Sequence, residues 1–288
     1  GLLVSPVPPL AISGAAAMTL FVLLFARARA DLQQQRLAAA RTDGELAAAR
    51  AIQTGMLPPR AGLSRIGAPG DVDALIEPAR TIGGDFYDIL RLDEHRLCLL
   101  VGDVTGKGVG AALFMALSKA LAKSILLREG AQPAGAIMQL NNEIARDNPE
   151  DMFVTMMVAV IDTRDGATSL LCAGHENPWL VRADGTVRQL SPEGGPPLGI
   201  VADFPYAAEP LSLATGDALV IVSDGITEAQ SADGDFFGPE RIAAILGGLA
   251  PVAPASAASD ALLREVRLFE GGAEATDDLT VLVYRYLT

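Results

Sequence analysis

Residues 97–108 read LCLLVGDVTGKG, an apolar run that leads directly into Asp103 and a glycine-rich loop. A short apolar run of this kind is typical of a buried strand. An aspartate at the end of such a strand projects from a stiff support, and neighbouring glycines let backbone carbonyl oxygens approach an ion. The pattern therefore indicates a strand end that suits a hard cation.

Three further segments share this pattern, in which aspartate adjoins an apolar, strand-like run. They are GGDFYD at residues 83–88, SDG at 223–225 and TDDLT at 276–280. Magnesium and manganese prefer oxygen ligands, and two such ions can polarise a shared water for attack on phosphorus. Asp-Gly is also an ordinary turn sequence, so the residues alone leave a metal centre and simple turns both open. Plain turns are expected at Asp165-Gly166, Asp184-Gly185 and Asp233-Gly234.

Composition limits the classes of function. The chain has 288 residues, half of them apolar, and a net charge of −13. This length can bury one large core, and the acidity disfavours nucleic acid as a partner. Cys98 and Cys172 lie in apolar runs and are expected to be buried, reduced thiols. Because no Cys or His pair has the spacing of a zinc site, any metal must be held by oxygen.

The N-terminal apolar run Leu10–Ala26 carries no charge and is followed by Arg27, Arg29 and Arg36. Its length is near the lower limit for a membrane-spanning helix, and the basic flank places the rest of the chain on the cytoplasmic side. A signal peptide and a buried core helix are the alternatives. We expect residues 1–30 to be a transmembrane segment, the end of a longer membrane or sensor region, that anchors a cytoplasmic catalytic domain to the cell membrane.

Residues 31–57 are rich in the helix formers Ala, Gln, Arg and Leu. They predict a linker helix that ends at Pro58-Pro59. One face carries Leu46, Ala49, Ile52 and Met56. The heptad pattern is weak, so a signalling coiled coil that pairs two subunits into a homodimer and a simple spacer helix both stay open.

Beyond residue 58, short strand-like runs alternate with glycine- and aspartate-rich turns. The predicted strands are Ala74–Ala79, Phe86–Leu92, Leu97–Val101, Phe153–Ile161, Thr168–Ala173, Trp179–Arg182, Ala218–Val222 and Leu279–Tyr286. The predicted helices are Gly110–Arg128, Ala134–Arg146, Pro239–Leu246 and Ala255–Phe269. Strands arrive in runs and helices in pairs, which favours a mostly antiparallel α+β fold.

Five motifs in order resemble one known family. They are GGDFYD, GDVTGKG, AGH at 173–175, SDGITEA at 223–229 and DDLT at 277–280. This set resembles the PPM (protein phosphatase 2C-like) family, in its bacterial branch named after the stage II sporulation phosphatase, over about residues 49–286. The resemblance implies an αββα sandwich, two antiparallel sheets flanked by helices, over residues 58–288. It also implies a metal-dependent protein serine/threonine phosphatase with two Mn²⁺ or Mg²⁺ ions.

The same resemblance assigns roles to particular residues. Asp85 and Asp103 would lie at the dinuclear centre, with the Val104 carbonyl as a backbone ligand. Asp224 and Asp277 would complete the ligands of one metal.

The resemblance also bears on positions outside the set of ligands. Arg80, five residues before Asp85, would bind phosphate, with a surface ion pair as the alternative. Thr105 stands where eukaryotic relatives carry a histidine proposed as general acid. His175 is expected in a turn or core role, Asp278 behind the ligands, and Asp88 either there or on the surface.

The resemblance further implies a substrate: a phosphorylated regulatory protein, of the STAS type of anti-sigma-factor antagonist. A signal would act by moving the helix near Ala49–Met56 against the metal site. The alternatives are a catalytically silent scaffold that binds a signalling partner, and a two-metal nuclease, which conflicts with the acidic charge.

Overall fold

The computed structural model describes residues 9–129, 132–146, 148, 152–250 and 253–288, without the side chains of residues 9–16, 37–40, 42 and 43. The chain divides into two compact units, Gly1–Ala49 and Arg50–Thr288. A long helix, α1 (Pro9–Met56), begins in the first unit and ends in the second. The second unit therefore starts inside the segment expected to be a linker.

The second unit contains helices and strands in alternating groups. After α1 and a 3₁₀ turn at Arg60–Gly62, the helices are α2 (Leu63–Gly67), α3 (Val109–Glu129), α4 (Pro133–Arg146), α5 (Asp224–Thr227), α6 (Gly238–Gly247) and α7 (Ala255–Glu270). The strands are β1 (Asp71–Glu77), β2 (Phe86–Arg91), β3 (Arg96–Val104), β4 (Val154–Asp162), β5 (Ala167–Ala173), β6 (Trp179–Val181), β7 (Val187–Gln189), β8 (Glu209–Ser212), β9 (Ala218–Val222) and β10 (Leu279–Arg285).

The strands form two five-stranded sheets. One has the order β1-β10-β9-β6-β7 and the other β2-β3-β4-β5-β8. The ladders between these described strands are antiparallel. With helices on both outer faces, the predicted αββα sandwich is confirmed.

Three apolar layers hold the sandwich together, and strand periodicity assigns residues to them. In β3, Leu97, Leu99 and Val101 point into the layer between the sheets, whereas Cys98 and Leu100 point to the layer under α3 and α4. The third layer lies between the other sheet and the helices α6 and α7. Since successive side chains point to opposite faces, a strand buried on both faces must be apolar throughout. This explains the unbroken apolar runs in the sequence.

Most predicted elements are confirmed, and two strands were missed. The strand β9 has the predicted bounds, whereas β1 runs from Asp71 to Glu77 instead of Ala74–Ala79. Pro78 cannot donate a ladder hydrogen bond, so it ends β1. The missed strands β7 and β8 lie at the sheet edges and are only partly buried. Edge strands need few apolar residues, so periodicity does not reveal them.

The described residues contain one helix that is long and apolar enough to cross a membrane, α3. Seven of its residues are buried, among them Met115 and Leu126, which pack against sheet and helix neighbours in the core. The apolar composition of α3 therefore reflects its place in the core.

The predicted span Leu10–Ala26 falls within α1, and its side chains up to residue 16 lie outside the described residues. Further along, Met18 and the side chains of residues 20–25 are each more than half exposed. The membrane span stays a prediction.

The core contains two cysteines and a buried ion pair. Cys98 and Cys172 are buried, free thiols, as predicted. Asp88 is 3% exposed and forms an ion pair with Lys119 of α3, which is 4% exposed. The surface position considered for Asp88 is therefore wrong. Removing either partner would leave a buried charge without compensation, so this pair ties α3 to β2.

Candidate metal and active site

Asp85 and Asp103 lie side by side because β2 and β3 are neighbours. Phe86 of β2 pairs with Gly102 of β3, so the aspartate next to each falls at the same end of the sheet. A Cβ at Gly102 would lie 2.6 Å from the Phe86 ring, so the ring packs directly on the backbone there. The register of one hairpin thus brings two of the predicted ligands together.

The second sheet contributes Asp224 and Asp277 in a similar way. The strands β9 and β10 pair, with Asp224 two residues after β9 and Asp277 two residues before β10. The Ser223 amide donates to the Thr280 carbonyl at 3.0 Å, and the Thr280 amide donates to Ser223 Oγ at 3.0 Å. These bonds hold the two acidic loops together at the end of their sheet.

Hydrogen bonds across the sandwich join the two ends into one site. Thr280 Oγ1 donates to Asp85 Oδ2 at 2.5 Å. Asp278 accepts the Gly84 amide on Oδ2 at 2.7 Å and the Ala79 amide on Oδ1 at 2.8 Å. The structure therefore gathers Asp85, Asp103, Asp224 and Asp277 at one end of both sheets, with Asp278 organising the loop behind Asp85.

Crowding of these carboxylates has an electrostatic consequence. Burial, then the charges of Asp103 and Asp278, raise the pKa of Asp85 well above its usual range. Burial and the nearby Asp224 raise the pKa of Asp103 to about 7. Burial and the nearby Asp277 raise the pKa of Asp224 to about 6. Since desolvation and like charges both disfavour the ionised form, a divalent cation would relieve the repulsion.

The carboxylates have other partners in this structure. Asp277 Oδ2 lies 3.1 Å from Nζ of Lys107, which also donates to the Thr276 carbonyl. Within the described ranges, no three Asp, Glu, His or Cys side chains are already arranged around one point as metal ligands. The structure thus brings the predicted ligands to one place, and their roles as ligands stay a prediction.

The loop after β3 is shaped by glycine. Gly106 and Gly108 have φ values of 91° and 85°, and a Cβ on either would meet nothing within 4 Å. Glycine is therefore needed there for its conformation and not for space. Gly84 is needed for space, since its Cβ would lie 2.7 Å from the Val104 carbonyl oxygen. The proposed backbone ligand Val104 therefore lies at the site, next to Asp85.

Arg80, Thr105 and His175 have different surroundings. Arg80 is exposed, and within the described residues it has neither an ion pair nor a hydrogen bond. Thr105, a partly buried residue, donates its amide to the Phe153 carbonyl. His175 is 8% exposed, with Nδ1 2.8 Å from Thr155 Oγ1. Burial lowers the pKa of His175 to about 4, so the ring is neutral at pH 7 and has no proton to give as an acid.

The sequence patterns assigned no role in the site to several of its residues. Ser223 and Thr280 stand inside the quoted motifs, and position within a motif was their only signal. Lys107 also belongs to a motif, but its contact with Asp277 joins residues 170 positions apart. Gln53 lies in the linker helix, and no pattern there pointed to its hydrogen bonds with Gly83.

An αββα sandwich with acidic side chains gathered at the same end of both sheets defines the class of PP2C-type phosphatase domains. The model of the Stage II sporulation protein E (SpoIIE) family matches residues 93–287, and the chain belongs to this family. The SiaA-PP2C domain of Pseudomonas aeruginosa has the same fold, with a TM-score of 0.77, 22% identity, and coverage of 86% of this chain and 98% of that one.

Two curated relatives are similar in sequence. Phosphoserine phosphatase RsbU of Bacillus subtilis is 32% identical over 57% of this chain and 48% of its own length. Protein IcfG of Synechocystis is 30% identical over 74% of this chain and 38% of its own length. The chain thus matches less than half the length of each of these two relatives.

Because His175 is buried with a lowered pKa, we expect the folded protein to lose stability in acid. Its pKa falls from 6.5 in the unfolded chain to about 4 in the folded one, so the unfolded state binds the extra proton between these values. Its contribution to stability is present above pH 6.5 and should fall by about 2 to 3 kcal/mol by pH 4.5. Urea unfolding of wild type and His175→Gln from pH 7.5 to 4.5 measures this loss. The free energy of unfolding of wild type should fall relative to that of the variant as the pH falls.

The matched control is His95→Gln, because His95 has a half-exposed side chain. The difference between this variant and wild type should stay constant with pH. A His175→Gln difference that is equally constant would contradict the assignment of a neutral, buried ring.

Proposed function

We propose that this chain is a metal-dependent protein serine/threonine phosphatase that hydrolyses phosphoserine or phosphothreonine. The observation that carries the proposal is the gathering of Asp85, Asp103, Asp224 and Asp277 at one end of a sandwich of this family. Phosphatases of the PP2C type depend on metals. The catalytic unit would act on a protein substrate in signal transduction.

The donor set fits two Mg²⁺ or Mn²⁺ ions. Its members are carboxylate oxygens and the Val104 carbonyl, which hard cations prefer, and Cys98 and Cys172 are buried in their strands. Asp85, Asp103 and the Val104 carbonyl would hold the pair of ions, with Asp224 and Asp277 on one of them. When bound, the ions would supply positive charge and activate water for attack on phosphorus.

The protein's own groups orient these ligands. The Thr280 hydroxyl donates to one oxygen of Asp85 and so restrains the orientation of this carboxylate. Asp278 accepts hydrogen bonds from backbone amides on both of its carboxylate oxygens, which supports a role in holding the loop before Asp85. The Lys107 ammonium lies beside Asp277 and adds positive charge at the rim of the site, where a phosphate would enter.

Loss of a central carboxylate should abolish activity. Asp103→Ala and Asp224→Ala should each lower Mn²⁺-dependent hydrolysis of an aryl phosphate at least about 100-fold, because several kcal/mol of charge stabilisation would be lost. Asp165→Ala, in a turn at the opposite end of the β4–β5 hairpin, is the matched control and should keep full activity. Chelation of the metal should stop wild-type hydrolysis.

The same assay separates the alternatives. A wild-type chain that binds Mn²⁺ but hydrolyses no phosphate ester would identify a silent scaffold. Metal-dependent cleavage of DNA would favour the nuclease. Release of phosphate from a phosphoserine STAS-type protein, with no cleavage of DNA, would support the phosphatase and its class of substrate.

Arg80 is proposed to bind the substrate phosphate, because an exposed guanidinium with no partner among the described residues is free to do so. Arg80→Ala should raise KM about tenfold with a smaller change in kcat, since a charge-assisted hydrogen bond contributes about 1.5 to 3 kcal/mol. Arg80→Lys should recover part of the loss. Arg164→Ala removes an arginine that pairs with Asp162 far from the site and serves as control. An unchanged KM for Arg80→Ala would leave the arginine on the surface without a role in binding.

The proposal extends to the protein substrate, to a membrane anchor and to the linker helix. The similarity to the phosphoserine phosphatase RsbU supports a phosphoserine protein as the substrate. We propose that this substrate is a STAS-type anti-sigma-factor antagonist. The exposed apolar side chains of Met18 and of residues 20–25 support a membrane anchor, with the catalytic unit in the cytoplasm. The linker helix would pair two subunits and transmit a signal to the site.

Removal of residues 1–30 tests the proposed membrane anchor, and the shorter chain tests the pairing of the linker helix. The full chain should remain with membranes in alkaline carbonate, and a chain that starts at Asp31 should be released, because residues 1–30 would be lost. Sedimentation of the shorter chain should show a dimer if residues 31–57 form a coiled coil. Release of the full chain would contradict the anchor, and a monomer at micromolar concentration would contradict the coiled coil.

A further inference from the structure

The end of α1 and the residues after it attach to the catalytic unit at three points. Gln53 Nε2 donates to the Gly83 carbonyl at 2.6 Å, and the Gly83 amide donates to Gln53 Oε1 at 3.2 Å. Tyr87 Oη donates to the Pro58 carbonyl at 2.8 Å. Arg60 holds both oxygens of Asp73 at 2.7 Å. The first two contacts lie on either side of Asp85 in the sequence.

The peptide at Gly83 is held from two sides. On one side, the Gln53 amide satisfies both its carbonyl and its amide group. On the other side, a Cβ on Gly83 would lie 2.0 Å from Asp278 Oδ2, so the carboxylate packs directly on the glycine. The same Asp278 oxygen accepts the amides of Gly84 and Asp85 at 2.7 and 3.3 Å. The backbone that leads into Asp85 is thus clamped between Gln53 and Asp278.

Gln53 also closes space beside the predicted ligand. Gln53, Gly83 and Asp85 line one cavity of about 130 Å³. Because the side chain of Gln53 is partly buried there, its removal would admit water next to the Gly83 peptide and remove two of its hydrogen bonds. The position of Asp85, which follows two glycines, depends on such contacts, because glycine alone constrains the backbone little.

We propose that Gln53 is a positioning residue: its amide fixes the Gly83 peptide and so sets the position of the Asp85 carboxylate for metal binding. The proposal rests on the proposed function and deepens it, since the last turns of α1 then become part of the active-site scaffold. A shift or rotation of α1 would break the amide pair with Gly83 and change the metal site. This is a physical route by which the linker helix can control activity.

The attachment of the linker does not depend on Gln53. Arg60 with Asp73, and Pro58 with Tyr87, would hold the chain after α1 in place when Gln53 is changed. A positioning role and a merely structural role therefore have separable consequences. The first affects the loop before Asp85 and the metal, whereas the second lowers overall stability.

The test uses the full chain in detergent and the variant Gln53→Ala. Without metal, hydrogen exchange of the amides at residues 83–85 should become about tenfold faster in the variant, because their local opening loses two hydrogen bonds. The Mn²⁺ concentration for half-maximal hydrolysis of an aryl phosphate should rise about tenfold, with KM for the phosphate ester unchanged. The melting temperature should change by less than about 2 °C.

Two further variants sharpen the result. Gln34→Ala removes an exposed glutamine from the same helix and should change neither exchange nor metal dependence. Gln53→Glu keeps an acceptor for the Gly83 amide but places a carboxylate oxygen against the Gly83 carbonyl. It should therefore resemble Gln53→Ala in exchange and in metal dependence.

Each outcome decides between the proposals. Unchanged exchange at residues 83–85 in Gln53→Ala overturns the positioning role, and so does an equal change in Gln34→Ala. A fall in melting temperature with unchanged metal dependence also overturns it, in favour of a structural role. If wild type hydrolyses no phosphate ester, the proposed function fails, while the exchange measurement still decides whether Gln53 orders the loop.

Discussion

Negative charge concentrated at one end of a rigid sandwich is the constraint on which the site depends. Burial and mutual repulsion raise the pKa values of Asp85, Asp103 and Asp224, so the fold holds these groups together at a free-energy cost. It can do so because they adjoin strands in antiparallel ladders, and separating the aspartates would break ladder hydrogen bonds. Divalent cations bound at this site would relieve the repulsion between the carboxylates.

Close approach of glycine backbone to carboxylate and carbonyl oxygens is the second requirement of the site. Gly83 packs on the Asp278 side chain, Gly84 on the Val104 carbonyl, and Gly225 on the Asp278 carbonyl, each nearer than any side chain would allow. The glycines in these motifs therefore let neighbouring loops pack closely, and the contact of Gly83 with Asp278 joins the loops of the two sheets. Through Gln53, the end of α1 joins the same packing, so the site includes residues from outside the sandwich.

Much of the fold was predictable because strands buried on both faces leave unbroken apolar runs. Residues 218–222 and 97–101 are examples, and the helices α3, α4, α6 and α7 were found within one residue at each end. The edge strands β7 and β8 were not predictable, since their half-exposed residues resemble loops. For the site, the aspartates stood out by their motifs, whereas Gln53 and the ion pair of Asp88 with Lys119 depend on contacts between distant segments.

By itself, the sequence determined the class of fold and the family resemblance and predicted an all-oxygen donor set, because these follow from local periodicity, residue type and motif order. Only the tertiary structure decided which groups meet. It placed Thr280 on Asp85, Lys107 on Asp277 and Gln53 on Gly83. Such pairs join residues 30 to 195 positions apart, and their contact depends on strand register and helix packing, which no local pattern encodes.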